Sequence, residues 1–333
     1  MIPSNRKIRW GVLGYARIAR ESVIPAILRS HNSEFAALAS RDEATLAEAR
    51  ARYAIPKTYV GYEALLRDPE IDAVYLPLPN SQHLPWTLRA AEHGKHILCE
   101  KPLGLTAAEV REMIAACAAR GVTLMEAFMY RYTHRTRQVR EIIRSGVLGE
   151  IKFIDASFRF LLNRPGTIKL QPALGGGALY DVGCYPVNFI GLIADEIAGQ
   201  PGSGVARPSS VSAQCVRHEG VDVIFSALLK YPSGLVASAH CGFNAHKRVR
   251  AEIVGTHGVL EIPETYFDDT TPLVLISGEQ RTEIPVPASD RYAREIEDFS
   301  DAILHARPPH FSLAETLRNA GVLDQLLAAA RFC

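Results

Sequence analysis

Several protein classes are ruled out by what this chain has little of. Its 37 Lys+Arg against 36 Asp+Glu leave a formal net charge of +1, so no bulk field draws it to nucleic acid or to an anionic membrane surface. No apolar run approaches the ~20 residues a transmembrane helix needs, and the N-terminal MIPSNRKIRW has no apolar signal core. The six cysteines (Cys99, Cys117, Cys184, Cys215, Cys241 and Cys333) are scattered, with no CxxC and no paired metal-like spacing. That argues against a disulfide framework and predicts reduced thiols in a cytoplasmic protein. Histidines do not gather either. His93 and His96 flank a turn, and His240 and His246 fall in a strand and its loop, so no metal site of the zinc-dehydrogenase kind is expected. Internal repeats and low-complexity tracts are absent.

What is present is an ordinary core. With 333 residues, 47% apolar and 22% charged, the chain is long enough for two domains. Strand-like runs at 8–13, 34–39, 73–76, 97–99 and 122–125 alternate with helical stretches at 43–53, 61–67, 84–93 and 106–120. Such alternation predicts a doubly wound parallel sheet with right-handed crossovers, a Rossmann domain over residues 1–130. Beyond Tyr130 the pattern changes. After a helix at 133–145, strands are expected at 149–160, 211–218, 221–230, 234–242, 248–254, 258–262, 273–276 and 281–284, separated by turns instead of helices. Residues 131–333 therefore read as an α/β domain with a large, mainly antiparallel open sheet. A helix at 178–194 can cover one face and a second subunit the other, with helices at 291–305 and 314–331 closing the chain. The Gly-, Pro- and Ser-rich segment 199–210 reads as a flexible loop.

Three stretches of the first domain carry cofactor chemistry. After the first strand comes Gly14-Tyr15-Ala16-Arg17-Ile18-Ala19 and then a helix, a relaxed dinucleotide fingerprint with alanine in the second and third glycine slots. Gly14 permits the tight turn, and small residues let backbone and pyrophosphate approach at a helix start. Gly14, Ala16, Arg17 and Ile18 are candidate contacts, although Arg17 could equally point to solvent. The second strand ends at Ser40-Arg41-Asp42. Ser40 and Arg41 can hydrogen-bond and neutralise a 2′-phosphate, and Arg41 can stack on adenine, which favours NADP over NAD; the alternative is a solvated arginine. Asp42 is expected to cap the next helix. The proline-stiffened loop Pro77-Leu78-Pro79-Asn80-Ser81-Gln82-His83 lies at the same sheet edge, with Pro77, Leu78, Asn80 and His83 as candidate cofactor contacts. Asn80 could instead cap the helix that starts near Leu84.

Two further stretches carry acid–base groups. Ile97-Leu98-Cys99 reads as a buried strand running into Glu100-Lys101-Pro102, and a buried parallel strand delivers its last residues to the ligand-binding edge of the sheet. Pro102 disfavours a helical Lys101 and holds it extended. Further on, Gly175-Gly176-Gly177-Ala178-Leu179-Tyr180-Asp181-Val182-Gly183-Cys184-Tyr185 allows close backbone approach and then a helix on which Asp181 and Tyr185 share a face. Either they form a site, or they are a capping aspartate and a hydrogen-bonded core tyrosine.

Taken together, WGVLGYARIA, SRD, DAVYLPLPNSQH, GKHILCEKPLGLT, LMEAFMYR and LGGGALYDVGCYPVN resemble the Gfo/Idh/MocA oxidoreductases along nearly the whole chain. The pattern is most similar to the branch holding dimeric dihydrodiol dehydrogenase, NADP-dependent D-xylose dehydrogenase and sugar 3-ketoreductases. The resemblance implies hydride transfer between a nicotinamide cofactor, NADP(H) with NAD possible, and a sugar or polyol. It also implies a homodimer or homotetramer assembled through the C-terminal sheet. Alternatives within it are trans-dihydrodiol oxidation or a non-catalytic cofactor-binding regulator. Lys101 matches the EKP lysine, and Asp181 and Tyr185 match the acid and phenol of DxGxY. Glu100, Glu126 and Arg131 fall in stretches near the cofactor in relatives, with Arg131 a candidate cofactor contact. Tyr185, with an ordinary pKa of ~10, can act as acid/base only if a cation such as Lys101 stabilises its phenolate. Phe128, Met129, Phe158 and Phe160 could form an apolar wall for a sugar ring, or simply pack in the core. In the loop before the glycines, Lys169 stands where relatives often carry arginine.

Overall fold

Apolar runs that are too short to span anything alone line up side by side as β1 (Ile8–Leu13), β2 (Ser33–Ser40), β3 (Lys57–Val60), β4 (Ala73–Leu76), β5 (His96–Glu100) and β6 (Leu124–Ala127). All pairings are parallel, in the order β3-β2-β1-β4-β5-β6. The direction of winding reverses between β1 and β4, the place where open α/β sheets bind ligands. The protein is described here from a computed structural model covering residues 6–164, 166–267 and 270–332. Helices α1 (Ile24–Arg29), α2 (Glu43–Arg52), α3 (Tyr62–Leu66), α4 (His83–Glu92) and α5 (Ala107–Ala119) connect the strands. Asp42 caps α2 as expected, its Oδ1 accepting from the Thr45 N–H at 2.8 Å. The edge strand β3 was not foreseen. It is only four residues long and half-exposed throughout, so it shows no burial alternation.

The second unit holds α6 (His134–Arg144), α7 (Cys184–Ile197) and a nine-stranded sheet. Its strands are β7 (Ile151–Leu161), β8 (Ser210–His218), β9 (Val221–Lys230), β10 (Val236–Gly242), β11 (Asn244–Gly255), β12 (Val259–Pro263), β13 (Leu273–Ser277), β14 (Gln280–Ile284) and β15 (Ala330–Phe332). They run in the order β14-β13-β12-β11-β7-β10-β9-β8-β15; β7–β10 and β8–β15 are parallel and the remaining pairs antiparallel. The α/β class, with a parallel sheet and a mainly antiparallel one, is as expected. α7 is buried along nearly its whole length. The segment expected to be a flexible loop is tied down instead, because the Asp195 carboxylate accepts from the Gly204 and Ala206 N–H groups, each at 3.0 Å.

The chain divides differently from a single cut at 130. One unit holds the chain up to Gly104, Ala108–Met129 and Asp290–Leu313; the other holds Leu105–Ala107, Tyr130–Ser289 and the chain from Ala314 on. α8 (Arg291–Leu304) thus returns to the first unit, while α9 (Leu313–Ala329) runs into the second. The reason is side-chain packing. Phe299 lies 5.4 Å from the Trp10 ring, and Trp10 Nε1 donates to both Ser33 Oγ (3.3 Å) and Ser300 Oγ (3.2 Å).

Candidate active site

In the first unit, the turn after β1 is shaped by Gly14. Its φ is +111°, and a Cβ there would come 3.3 Å from Leu78 Cδ2 and 3.5 Å from Tyr62 Oη. Backbone and Leu78 loop therefore approach as a cofactor cradle requires. The helix that follows opens with a π turn, Ala19–Val23, just before Pro25. Proline cannot donate within a helix, and a widened turn accommodates it. Arg17 is 60% exposed and lies 3.8 Å from Glu21, one helical turn on. Ser40 is buried at the end of β2, while Arg41 is exposed and makes no ion pair among the described residues. Ser40 beside an exposed guanidinium suits a 2′-phosphate.

The end of β5 is fixed from three sides. Tyr75 Oη, fully buried in β4, donates to Glu100 Oε1 at 2.6 Å. Glu126 on β6, itself buried, accepts from the Leu103 N–H at 2.9 Å. His83 Nδ1 lies 2.9 Å from the Pro102 carbonyl oxygen, and its Nε2 lies 2.9 Å from that of Leu78. Burial, with Lys101 nearby, pushes the His83 pKa down, so its neutral ring has one N–H for two carbonyls. Lys101 follows Glu100 directly, and its peptide bond to Pro102 is cis.

Two expected contacts need correction. His83 has no exposed surface and serves the loop, not the cofactor. Phe128 is also fully buried, packed at 5.6 Å against Phe311, so it belongs to the core and not to a substrate wall. Arg131 is matched inside the second unit, where it donates to Glu315 Oε1 (2.8 Å) and Asn188 Oδ1 (3.2 Å). Met129 is 8% exposed, and Pro77 and Leu78 are buried beside the half-buried Asn80.

In the second unit, a π turn at Leu179–Gly183 precedes α7 and again stands just ahead of a proline, Pro186. Asp181 lies in that turn and Tyr185 in the first turn of α7. Tyr185 is 5% exposed and belongs to a continuous aromatic cluster. Its ring lies 5.4 Å from Phe158, 5.3 Å from Tyr266 and 6.0 Å from Tyr130. Phe158 continues the cluster to Phe160 at 6.5 Å. The phenols of Tyr130 and Tyr266 are fully enclosed, and loss of water pushes both pKa values up. The Asp181 carboxylate is ion-paired with Lys169. Tyr266 escaped the sequence reading because it sits in a turn after β12, where no periodicity marks it; the only signal was an aromatic residue between strands.

The Rossmann model of the family described as "Oxidoreductase family, NAD-binding Rossmann fold" matches residues 8–128, and the corresponding GFO/IDH/MocA C-terminal domain model matches residues 136–261. A D-xylose 1-dehydrogenase (NADP(+)) from Haloferax volcanii is 36% identical over 96% of this chain and 97% of its own. The chain belongs to the Gfo/Idh/MocA oxidoreductase family. Another member, mouse trans-1,2-dihydrobenzene-1,2-diol dehydrogenase, is 34% identical over 84% of this chain and 80% of its own. Among solved members, a 3-ketoreductase from Actinomadura kijaniata in complex with NADP and TDP-benzene superposes with a TM-score of 0.90 at 31% identity, covering 98% of this chain and 99% of that one. No helix among the described residues is long and apolar enough to cross a membrane. Nor do three or more metal-ligating side chains gather among them.

Proposed function

We propose that this family member is an NADP(H)-dependent oxidoreductase of sugars or polyols, with Tyr185 as the acid/base, Lys101 as the cation that stabilises its phenolate, and Asp181 as a positioning group. The observation that carries the reading is the state of the second unit's polar pair. Asp181 is held by a lysine, whereas Tyr185 lies at the edge of an aromatic cluster whose other phenols are sealed. The carboxylate then orients, and the phenol moves the proton. Bound NADP(H) supplies or accepts the hydride. Tyr185 takes the proton from the hydroxyl oxygen in oxidation and returns it to the carbonyl oxygen in reduction. Lys101 makes this possible near neutral pH by lowering the cost of the phenolate.

Gly14, Ser40 and Arg41 support NADP(H), as does the NADP specificity in the name of the Haloferax relative. The Actinomadura ketoreductase has been solved with a tyrosine replaced by phenylalanine and with a lysine replaced by alanine or glutamate, the residue types assigned here. The test is turnover of a panel of aldoses, polyols, 3-keto sugars and trans-dihydrodiols, followed by NADPH absorbance. Tight NADPH binding with no turnover of any of them would instead indicate a cofactor-binding regulator.

A second copy of the chain is the proposed cover for the open sheet face. Phe153, Val216, Ile224 and Leu228 on that face are 55, 45, 36 and 54% exposed. One cross-strand row there is acidic, Asp155–Glu252–Glu261 with Glu283 beyond Val274, and a nearby row pairs Arg159 with Arg248. A two-fold pairing can set acid against base. Light scattering of a Phe153→Glu/Leu228→Glu variant tests it; an unchanged assembly mass would exclude this face.

A further inference from the structure

The glycines at 175–177 do more than open a helix. The Gly176 N–H donates to the Gln171 carbonyl at 3.0 Å and the Gly177 N–H to the Lys169 carbonyl at 2.9 Å. A Cβ at 176 would stand 2.6 Å from the Lys169 carbonyl oxygen and 2.9 Å from the Gln171 nitrogen, and one at 177 would stand 2.3 Å from Asp222 Oδ1. Only glycine lets these backbones lie against each other. The segment before them, two short 3₁₀ turns at Ile168–Leu170 and Pro172–Leu174, is thereby strapped onto the start of the helix that carries Asp181. The Asp181 N–H in turn donates to the Gly177 carbonyl at 3.0 Å.

The strap delivers one side chain, Lys169. Its ammonium is paired with the Asp181 carboxylate and lies over two rings, 5.5 Å from the centroid of Phe160 and 5.9 Å from that of Phe243. Those rings touch each other at 5.4 Å. From Phe160 the ring contacts run through Phe158 to Tyr185. Lys169 with Asp181 at one end and Tyr185 at the other thus bracket a single aromatic strip of the second unit.

We propose that Lys169 is the positioning residue of Asp181, and that the pair reads one ring hydroxyl of a cyclic polyol whose C–H face lies on Phe158 and Phe160. The inference rests on the sugar oxidoreductase reading and deepens it. A pyranose has an apolar face and a rim of hydroxyls, so an aromatic strip ending in a fixed charge pair matches both parts. With side chains 33% and 18% exposed, the Lys169–Asp181 pair adds little stability by itself. Its value is geometric, since a carboxylate pinned by an ammonium accepts a short charge-assisted bond from a hydroxyl at one place. The cation–π seat on Phe160 and Phe243 restricts Lys169 in turn.

The test measures kcat and KM for wild type, Lys169→Met and Lys169→Arg, with the best sugar of the panel and each of its monodeoxy analogues. NADPH affinity and Tm are recorded alongside. Lys169→Met is expected to raise the sugar KM by about 10- to 100-fold, the scale of one hydrogen bond to a charged group, with a smaller loss of kcat. NADPH affinity and Tm should stay unchanged, and Lys169→Arg should recover most of the loss. With one deoxy analogue the wild type should lose a similar factor and Lys169→Met should add nothing, the non-additivity of two changes to one contact. An active Lys169→Met enzyme with wild-type KM, or equal penalties across all analogues, overturns the inference and leaves the oxidoreductase reading standing. Absence of any sugar turnover by the wild type overturns that reading, and this inference with it.

Discussion

His83 and Pro102 are joined at 2.9 Å across the base of the lysine-bearing loop, a ring nitrogen facing a carbonyl oxygen where neither is exposed to water. With the Glu126 contact to the Leu103 N–H, this makes the segment after β5 a rigid mount. A lysine at the end of a strand could wave in solvent; this one leaves a backbone held on both sides. Preorganisation of that kind is what an electrostatic partner in catalysis needs.

Replacing His83 by Ala removes the one ring N–H that lies between two buried carbonyls and opens a cavity. Unfolding in urea should show a loss of about 1–3 kcal/mol. kcat should fall while NADPH affinity changes little, because His83 has no surface to offer a cofactor. A selective loss of NADPH binding would return His83 to the cofactor site.

Tyr185→Phe keeps the ring packing against Phe158 and Tyr266 but removes the transferable proton. Stability and NADPH binding should hold while kcat falls about 10²- to 10⁴-fold. Lys101→Met should lose activity on a similar scale without loss of fold. Near-normal turnover by Tyr185→Phe would end the role assigned to the phenol.

Arg41 is exposed and makes no ion pair among the described residues, so its removal should cost little stability. Arg41→Ala should raise the KM for NADPH by about 10-fold or more, as expected for a lost charged contact, and leave the KM for NADH nearly unchanged. Equal effects on both cofactors would mean that Arg41 does not meet the 2′-phosphate.

Asp68 gives a pH signature. Burial opposes its ionisation, but bonds from Lys57 Nζ (2.8 Å), Tyr59 Oη (2.7 Å) and the Glu70 N–H (2.9 Å) hold its pKa down to about 2, below the ordinary 3.8. A depressed folded-state pKa stabilises the protein above the unfolded value, and that stabilisation is lost as pH falls through the folded one. Asp68→Asn should therefore cost about 2 kcal/mol at pH 7, with the gap to wild type closing as pH falls from about 4 toward 2. A constant gap across that range in denaturant melts would contradict the assignment.

The parallel sheet was legible because buried strands read as apolar runs, and the helices between them fixed the winding. The antiparallel sheet was legible from turn-separated strands. β3 and Tyr266 were not, since a four-residue edge strand and a turn residue carry no period. The π turns left only the faint trace of Pro25 and Pro186 inside helical stretches, because a backbone register shift has no side-chain signature.

The sequence alone determined the motifs: the spacings around Lys101, Asp181 and Tyr185, the groups proposed to carry the chemistry, depend on chain order, which local patterns preserve. Tertiary structure alone decided what each polar group faces. Partners such as Lys169 for Asp181, Glu315 for Arg131 and the carbonyls of Leu78 and Pro102 for His83 lie from 5 to 184 residues away along the chain. A buried charge or imidazole settles on whichever partner the packing brings to it, and packing is a property of the whole fold.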